Sequence, residues 1–483
     1  MSPLVLRLLE ERGITDTDAF LNPSYEARHD PFLLKDIDTA VARILAAIAG
    51  GERIAVWHDY DCDGIPGWAL LSDFFNKIGH PVRMIVAERN EGYGLNEEGI
   101  KLLVSEGVKV LVTVDCGITD NKEVALAQSL GIDVIVTDHP LPSVELPPAY
   151  AVINAHRADD EYPFKDLCGT GVAFKLVEAI VARLRQGYGG LSIAYGEGQQ
   201  KWLLDLVALA TVADMVPLTG ENRTLVRYGL QVMQRGRRKG LAALFRKERI
   251  PQNEVTETDI AFSIAPKINA SSRMESPKLA FELLTTTDDV RANELANKLV
   301  SLNKSRKLEG ARVAKEVKRR IAGMPVIGDI IVMGSSEWRP SLLGIAGNNV
   351  VETYHKTVCL WGRDGDLIKG SIRSNGQVNV VELMRGAAHV FADYGGHESS
   401  GGFSITAEAI HQLPIALEES LRSLGLAEVS AEAAPHDGVL TLSEANSKTY
   451  AALTQMAPFG MSNPKPVFRF ADVRVERVMF FGA

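Results

Sequence analysis

The run Val56-Trp57-His58-Asp59-Tyr60-Asp61-Cys62-Asp63-Gly64 sets three carboxylates at alternate positions just past a short apolar segment. Ionised carboxylates this close repel one another and raise each other's pKa, so the arrangement is tolerable when a hard divalent cation neutralises it. Two further segments repeat the theme, Val110-Leu111-Val112-Thr113-Val114-Asp115-Cys116-Gly117 and Val134-Ile135-Val136-Thr137-Asp138-His139-Pro140. Each is a β-branched run that ends in side chains able to bind a metal. A fourth acid, Asp214, closes the apolar stretch 202–213 shortly before Pro217. Any one of these acids alone is more often a turn, cap or helix-end residue than a ligand. Only convergence of the separate segments would make a site.

The elements between them supply a way to converge. From 53 to about 153, strand-like runs at 54–57, 82–87, 108–114 and 132–137 alternate with helical periodicity at 68–78, 97–106 and 120–130. That alternation predicts an α/β fold with a parallel sheet and helices on both faces. Ligands of such sheets bind beyond the carboxyl ends of the strands, where the 59–63 run, Asp115 and His139 all fall.

Around this core the first 50 residues read as a helical lead-in with a loop at Asn22-Pro23, and helices dominate 171–244. The stretch 288–323 lacks proline, is dense in charge and carries the stripe Leu295, Leu299, Val313, Val317. As one helix it would run roughly 50 Å at ~1.5 Å per residue, a connector between lobes. A second, smaller α/β segment follows at 324–427, with strands at Ile330-Ile331-Val332-Met333 and Thr357-Val358-Cys359-Leu360-Trp361. Its loop Asp393-Tyr394-Gly395-Gly396-His397, continuing to Gly401-Gly402-Phe403, could cradle a phosphate on backbone amides, with Arg373 as the cation. The plainer alternative is a tight turn with His397 facing solvent. The last segment, 428–483, reads as a linker, a helix at 442–455, the turn Pro458-Phe459-Gly460 and strands at 467–470 and 473–480. The expected division is 1–50, 51–287, 288–323, 324–427 and 428–483.

Composition narrows the class. A chain of 483 residues with 46% hydrophobic and 23% charged residues is ordinary for a folded, multidomain enzyme. No apolar run reaches the ~20 residues that span a bilayer, so a cytoplasmic location is expected. The four cysteines form no CxxC pair and read as reduced, space-filling thiols. A net charge of −9 argues against coating nucleic acid by bulk electrostatics but leaves a nucleic-acid enzyme open. The basic runs at 235–239 and 246–249 read as solvated faces, with a phosphate-tracking groove as the alternative.

Taken together, Asp59-Tyr60-Asp61-Cys62-Asp63-Gly64, Asp115-Cys116-Gly117, Asp138-His139 and Asp214 resemble the four motifs of the DHH phosphoesterase superfamily, and the Gly395-Gly396-His397 segment resembles its DHHA1 domain. Within the superfamily the chain is most similar to the RecJ-type single-strand-specific exonucleases, through Glu91-Gly92-Tyr93-Gly94-Leu95, Gly169-Thr170-Gly171-Val172-Ala173-Phe174, Ile268-Asn269-Ala270-Ser271-Ser272-Arg273 and Pro458-Phe459-Gly460-Met461-Ser462-Asn463-Pro464. The resemblance implies a 5′ to 3′ exonuclease on single-stranded DNA, active in repair and recombination, with two Mn²⁺ or Mg²⁺ ions. Asp115 would bridge them, with Asp63, His139 and Asp214 on one and Asp61 and Asp59 on the other. Arg89, Asn269, Arg273, Ser371, Arg373, Gly395, Gly396 and His397 would bind substrate. It also implies a monomer with single-strand-binding protein and helicase as partners, and an OB-type β segment that is incomplete here. Two other classes stay open, a DHH phosphodiesterase acting on nano-RNA or small nucleotides and a catalytically weak scaffold holding single strands. One departure stands out: Pro140 occupies the place of the second His of the motif.

Overall fold

The computed structural model describes residues 2–86, 94–187, 195–365, 367–425 and 436–479, which divide into two compact units. The first comprises 1–272, 276–299 and 434–483; the second comprises 273–275 and 300–433.

Five parallel strands form the core of the first unit: β1 (Arg53–His58), β2 (Arg83–Val86), β3 (Val108–Val114), β4 (Asp133–Thr137) and β5 (Ala151–Ile153). Their order is β2-β1-β3-β4-β5. The chain moves to one side of β1 to make β2 and then crosses to the other to make β3, so the strand order reverses at the β1–β3 pair. Crevices at such reversals are where open α/β sheets bind ligands. The central strands are buried on both faces, β3 at every position but Lys109, which is why they read as continuous apolar runs. Strand β5, only 3 residues long, has no clear period of its own in the sequence.

Helices seal both faces. Gly64–Lys77 buries Leu70, Leu71, Phe74 and Phe75, each contributing ~1.5–3 kcal/mol through lost apolar exposure. Leu204–Ala213 is buried on nearly all sides, including Asp205, as expected of a helix inside a core. Asp205 is tolerated because Arg238 Nε lies 2.7 Å away. Arg238 is therefore neither a solvated charge nor part of a phosphate groove. Its neighbour Arg237 stacks on Trp202, 3.6 Å from the ring centroid. The helix Pro3–Glu11 packs Val5, Leu8 and Leu9 against Leu21, Met456 and Phe459, tying the beginning of the chain to its 456–459 turn.

The connecting helix is continuous over Asp289–Ala322. Leu295 and Leu299 are buried in its first part, and Val313 and Val317 in its second. In the second unit β6 (Ile330–Gly334) and β7 (Thr357–Asp364) are parallel. β8 (Leu367–Arg373), β9 (Asp393–His397) and β10 (Ser400–Ile405) complete an order β6-β7-β8-β10-β9 with antiparallel pairing.

Two sequence expectations need correction. The helix expected over 442–455 starts at Ser447, because Asn446 caps it by accepting from Lys448 and Thr449 N–H, and it runs only to Leu453. The strands expected at 467–470 and 473–480 form no ladder among the described residues; the pairing there is one isolated parallel bridge, Val439 to Arg469. Val473, Val475 and Val478 are exposed, so the alternation that suggests a strand faces no partner sheet.

Candidate metal centre

Each candidate ligand sits at the end of the element that carries it. Asp59 N–H donates to Val114 O at 3.2 Å, Asp115 N–H to Thr137 O at 3.0 Å and Asp138 N–H to Ile153 O at 3.2 Å, so the sheet ladder continues one residue past the strands and then stops. Asp214 caps the carboxyl end of Leu204–Ala213. Asp115 has a φ of 60°, a left-handed conformation that Asp adopts more readily than most residues. Thr113 Oγ1 stabilises this turn by donating to Cys116 O at 2.7 Å.

The side chains converge. Ligand atoms of Asp63, Asp115 and His139 lie within 4.8 Å of one another, and so do those of Asp59, Asp61 and Asp115. Asp115 belongs to both groups. His139 Nε2 is 3.2 Å from Asp115, 3.6 Å from Asp214 and 3.8 Å from Asp63. Burial, and then the surrounding carboxylates, push Asp115 well above the usual carboxylate range. The same causes push Asp214 up to about 9. Asp63 is raised by burial, with His139 opposing. Five acids and an imidazole this close are compatible with hard divalent cations, which would supply the neutralising charge.

The surroundings of the ligands are built by residues that the sequence does not single out individually. Asp63 accepts from Gly169 N–H at 2.6 Å and Thr170 N–H at 2.7 Å, at the first turn of the helix Gly169–Arg185. A Cβ on Gly169 would stand 2.6 Å from the Asp115 Cβ, which accounts for glycine there. Asn269 Oδ1 accepts from Cys62 N–H at 3.0 Å, bracing the acidic loop. Asp138 is no member of the ligand groups; its oxygens accept from Ile118 and His139 N–H at 3.0 and 2.9 Å, and burial raises it to about 6. Asn154 Nδ2 donates to Pro140 O at 2.8 Å, and His156 Nδ1 lies 2.7 Å from His139 O. The imidazole bonded to the His139-Pro140 backbone is thus His156. His58 instead stacks on Trp68 and is held near 3, and so neutral, by burial. Cys62 and Cys116 are buried with thiols pushed up by burial, consistent with space-filling.

Of the remaining candidates, Arg89 falls outside the described residues. Arg273 donates to Ser341 O at 3.5 Å, and Ser341 Oγ returns a bond to Arg273 O at 3.1 Å. In the second unit Gly395, Gly396 and His397 form the edge strand β9, so the expected loop is a hairpin with a turn at 398–399. Four glycines read locally as a loop because the pairing of β9 with β10 is invisible in composition. Arg373 Nη1 donates to Ser371 Oγ at 2.6 Å, and burial lowers its pKa.

The segment 53–211 matches the DHH family, N-terminal domain; 325–423 matches the DHHA1 domain and 436–483 the RecJ OB domain. A "Single-stranded-DNA-specific exonuclease RecJ" of Dickeya dadantii (strain 3937) is 32% identical over 96% of this chain and 83% of its own length. The chain belongs to the RecJ family. The RecJ of Bacillus subtilis (strain 168) is 31% identical over 100% of this chain, which spans 60% of that relative's length. The crystal structure of RecJ in complex with Mn²⁺ from Thermus thermophilus matches with a TM-score of 0.82 at 28% identity, covering 97% of this chain and 66% of that one. Among the described residues, no helix is long and apolar enough to cross a membrane.

One expected result follows from the electrostatics. Without metal, burial raises Asp63, Asp115 and Asp214 above ~3.9, the value of exposed Asp. With Asp214 pushed up to about 9, that group alone makes the folded state bind more protons than the unfolded chain between about pH 4 and pH 9, so it destabilises the fold increasingly as pH rises. Cation binding removes that penalty by displacing the protons. The rise in melting temperature on adding Mn²⁺ to chelator-treated protein should therefore be larger at pH 8 than at pH 5.5. A rise that is equal or smaller at pH 8 would contradict the cluster's assignment as the cation site.

Proposed function

We propose that this chain is a metal-dependent, single-strand-specific exodeoxyribonuclease that removes 5′-mononucleotides from a 5′ end. The observation that supports it most is the pair of ligand groups sharing Asp115. In the proposed arrangement Asp115, Asp63, His139 and Asp214 hold one Mn²⁺ or Mg²⁺, and Asp115, Asp59 and Asp61 hold the other. Two such ions when bound supply charge for activating water and for stabilising the leaving oxygen. The protein's own contribution is orientation: Gly169 and Thr170 amides fix Asp63, while His156 and Asn154 fix the backbone carbonyls of His139 and Pro140. Arg373, with Ser371, is proposed to receive a phosphate in the second unit together with Gly395, Gly396 and His397. Arg89, Asn269 and Arg273 are proposed as further substrate-binding residues. The similarity to RecJ relatives supports DNA as substrate, and work as a cytoplasmic monomer beside single-strand-binding protein and a helicase in repair and recombination is proposed with it.

The test is digestion of 5′- and 3′-labelled oligonucleotides, single- and double-stranded, with Mn²⁺ or EDTA. The expected result is early release of the 5′ label as mononucleotide from single strands with Mn²⁺ alone. Tight binding without hydrolysis in any metal would overturn the proposal in favour of a scaffold.

A further inference from the structure

We propose that a cavity of about 390 Å³ beside Asp214 is a stacking site for one base of the nucleic-acid strand. This rests on the nucleic-acid reading above and adds a contact that the metal centre does not provide. The cavity has the size of a small-ligand pocket. Met215, the residue after the candidate ligand, forms one wall; Phe262 and the pair Phe459 and Met461 form others, with Lys465 and Glu257 also lining it.

Met215, Phe262 and Met461 are 66%, 76% and 49% exposed, so three large apolar side chains face water around one opening. The backbone around Met461 is held firmly. Asn463, 1% exposed, donates from Nδ2 to Met456 O at 2.9 Å and Pro458 O at 2.8 Å. Its Oδ1 accepts from Arg12 at 2.6 Å, and Leu218 N–H donates to Met461 O at 2.8 Å. The stretch Pro458 to Pro464, conspicuous in the sequence yet without a part in metal binding, is thereby explained as a rigid wall. Two backbone irregularities lie at the same place. Met215 has a φ of 60°, and Phe262 sits in the π-helical turn Ile260–Ile264. Such distortions persist where structure over-determines them, frequently at functional sites.

Chemistry favours a base over an apolar peptide. The cavity starts one residue from a carboxylate 3.6 Å from His139, so a nucleotide adjoining a phosphate at the metal centre is its nearest natural occupant. Aromatic and thioether groups both pack on a base's π-face without regard to sequence. Lys465 Nζ rests on Thr258 Oγ1 at 2.8 Å rather than on a carboxylate, leaving its charge for a backbone phosphate. Glu257 offers an acceptor to a base's amino group.

The test uses the full chain in Mn²⁺ and 5′-phosphorylated single strands with non-hydrolysable linkages at the 5′ end, carrying 2-aminopurine at successive positions from that end. One position should be quenched on binding, and Phe262→Ala should abolish that quench and weaken Kd by about tenfold, a typical effect of losing a stacked base. Met461→Ala repeats the test from the opposite wall, and melting curves verify both folds. An abasic nucleotide at the quenched position should cost the wild type the same factor and cost Phe262→Ala nothing further. An equal abasic penalty in both proteins, or a flat quenching profile, would overturn the proposal. So would an apolar dye bound in the cavity that the oligonucleotide fails to displace, since the face would then serve an apolar protein segment. Turnover in Mn²⁺ with a flat profile overturns only the base site, whereas a position-specific quench in a protein without turnover overturns only the exonuclease reading.

Discussion

Asp115→Ala is expected to lower mononucleotide release by ~10³-fold or more while leaving single-strand affinity within a few-fold of wild type. Loss of a single preorganised group that stabilises a transition state already costs ~10²–10³ in rate. Asp115 belongs to both ligand groups, so its removal deprives each of a carboxylate at once. The remaining acids would hold the cations more weakly, and the nearest comparison is Asp59→Ala, which touches one group only. Turnover of the two variants and of wild type should be measured across a Mn²⁺ titration. Asp115→Ala retaining more than a tenth of wild-type turnover at saturating Mn²⁺ would refute the shared-ligand assignment.

The second large effect concerns stability. Arg238 Nε lies 2.7 Å from Asp205 and Nη2 lies 3.0 Å from Asp73, and Nη1 donates to Leu284 O. One guanidinium thus joins the helices Gly64–Lys77, Leu204–Ala213 and Lys278–Thr285. Removing one partner of a buried ion pair strands the other charge and costs ~3–5 kcal/mol, whereas replacing the whole group with apolar residues is often neutral. Arg238→Met should therefore lower unfolding free energy by about that amount. The triple variant Arg238→Met, Asp205→Leu, Asp73→Leu should recover most of it. Urea unfolding of the three proteins decides the matter, and a single variant within ~1 kcal/mol of wild type would show that the triad contributes little.

These two residues illustrate opposite ends of what can be read from the chain. Asp115 is legible at once, because a β-branched run ending in an acid is a local pattern, and local patterns specify strands and their ends. The same holds for the 59–63 run, His139 and Asp214, and for the connecting helix, whose stripe at Leu295, Leu299, Val313 and Val317 follows from helical period alone. Arg238 reads locally as part of a basic surface run, since nothing within its neighbours reveals Asp205 and Asp73 on two other helices.

What the sequence determined by itself was the kind of sheet and the placing of acids at its strand ends. Tertiary structure decided which groups hold them: the Gly169 and Thr170 amides on Asp63, the Asn154 and His156 side chains on the His139-Pro140 turn, the Asn269 side chain on the loop of Cys62. It also decided that 393–405 is a hairpin rather than a loop and that 467–479 lacks a ladder. The physical reason is range. Periodicity and β-branching act within a few residues and leave a mark in the sequence, whereas a hydrogen bond between residues 106 apart, such as Gly169 to Asp63, depends on the whole chain having closed around it.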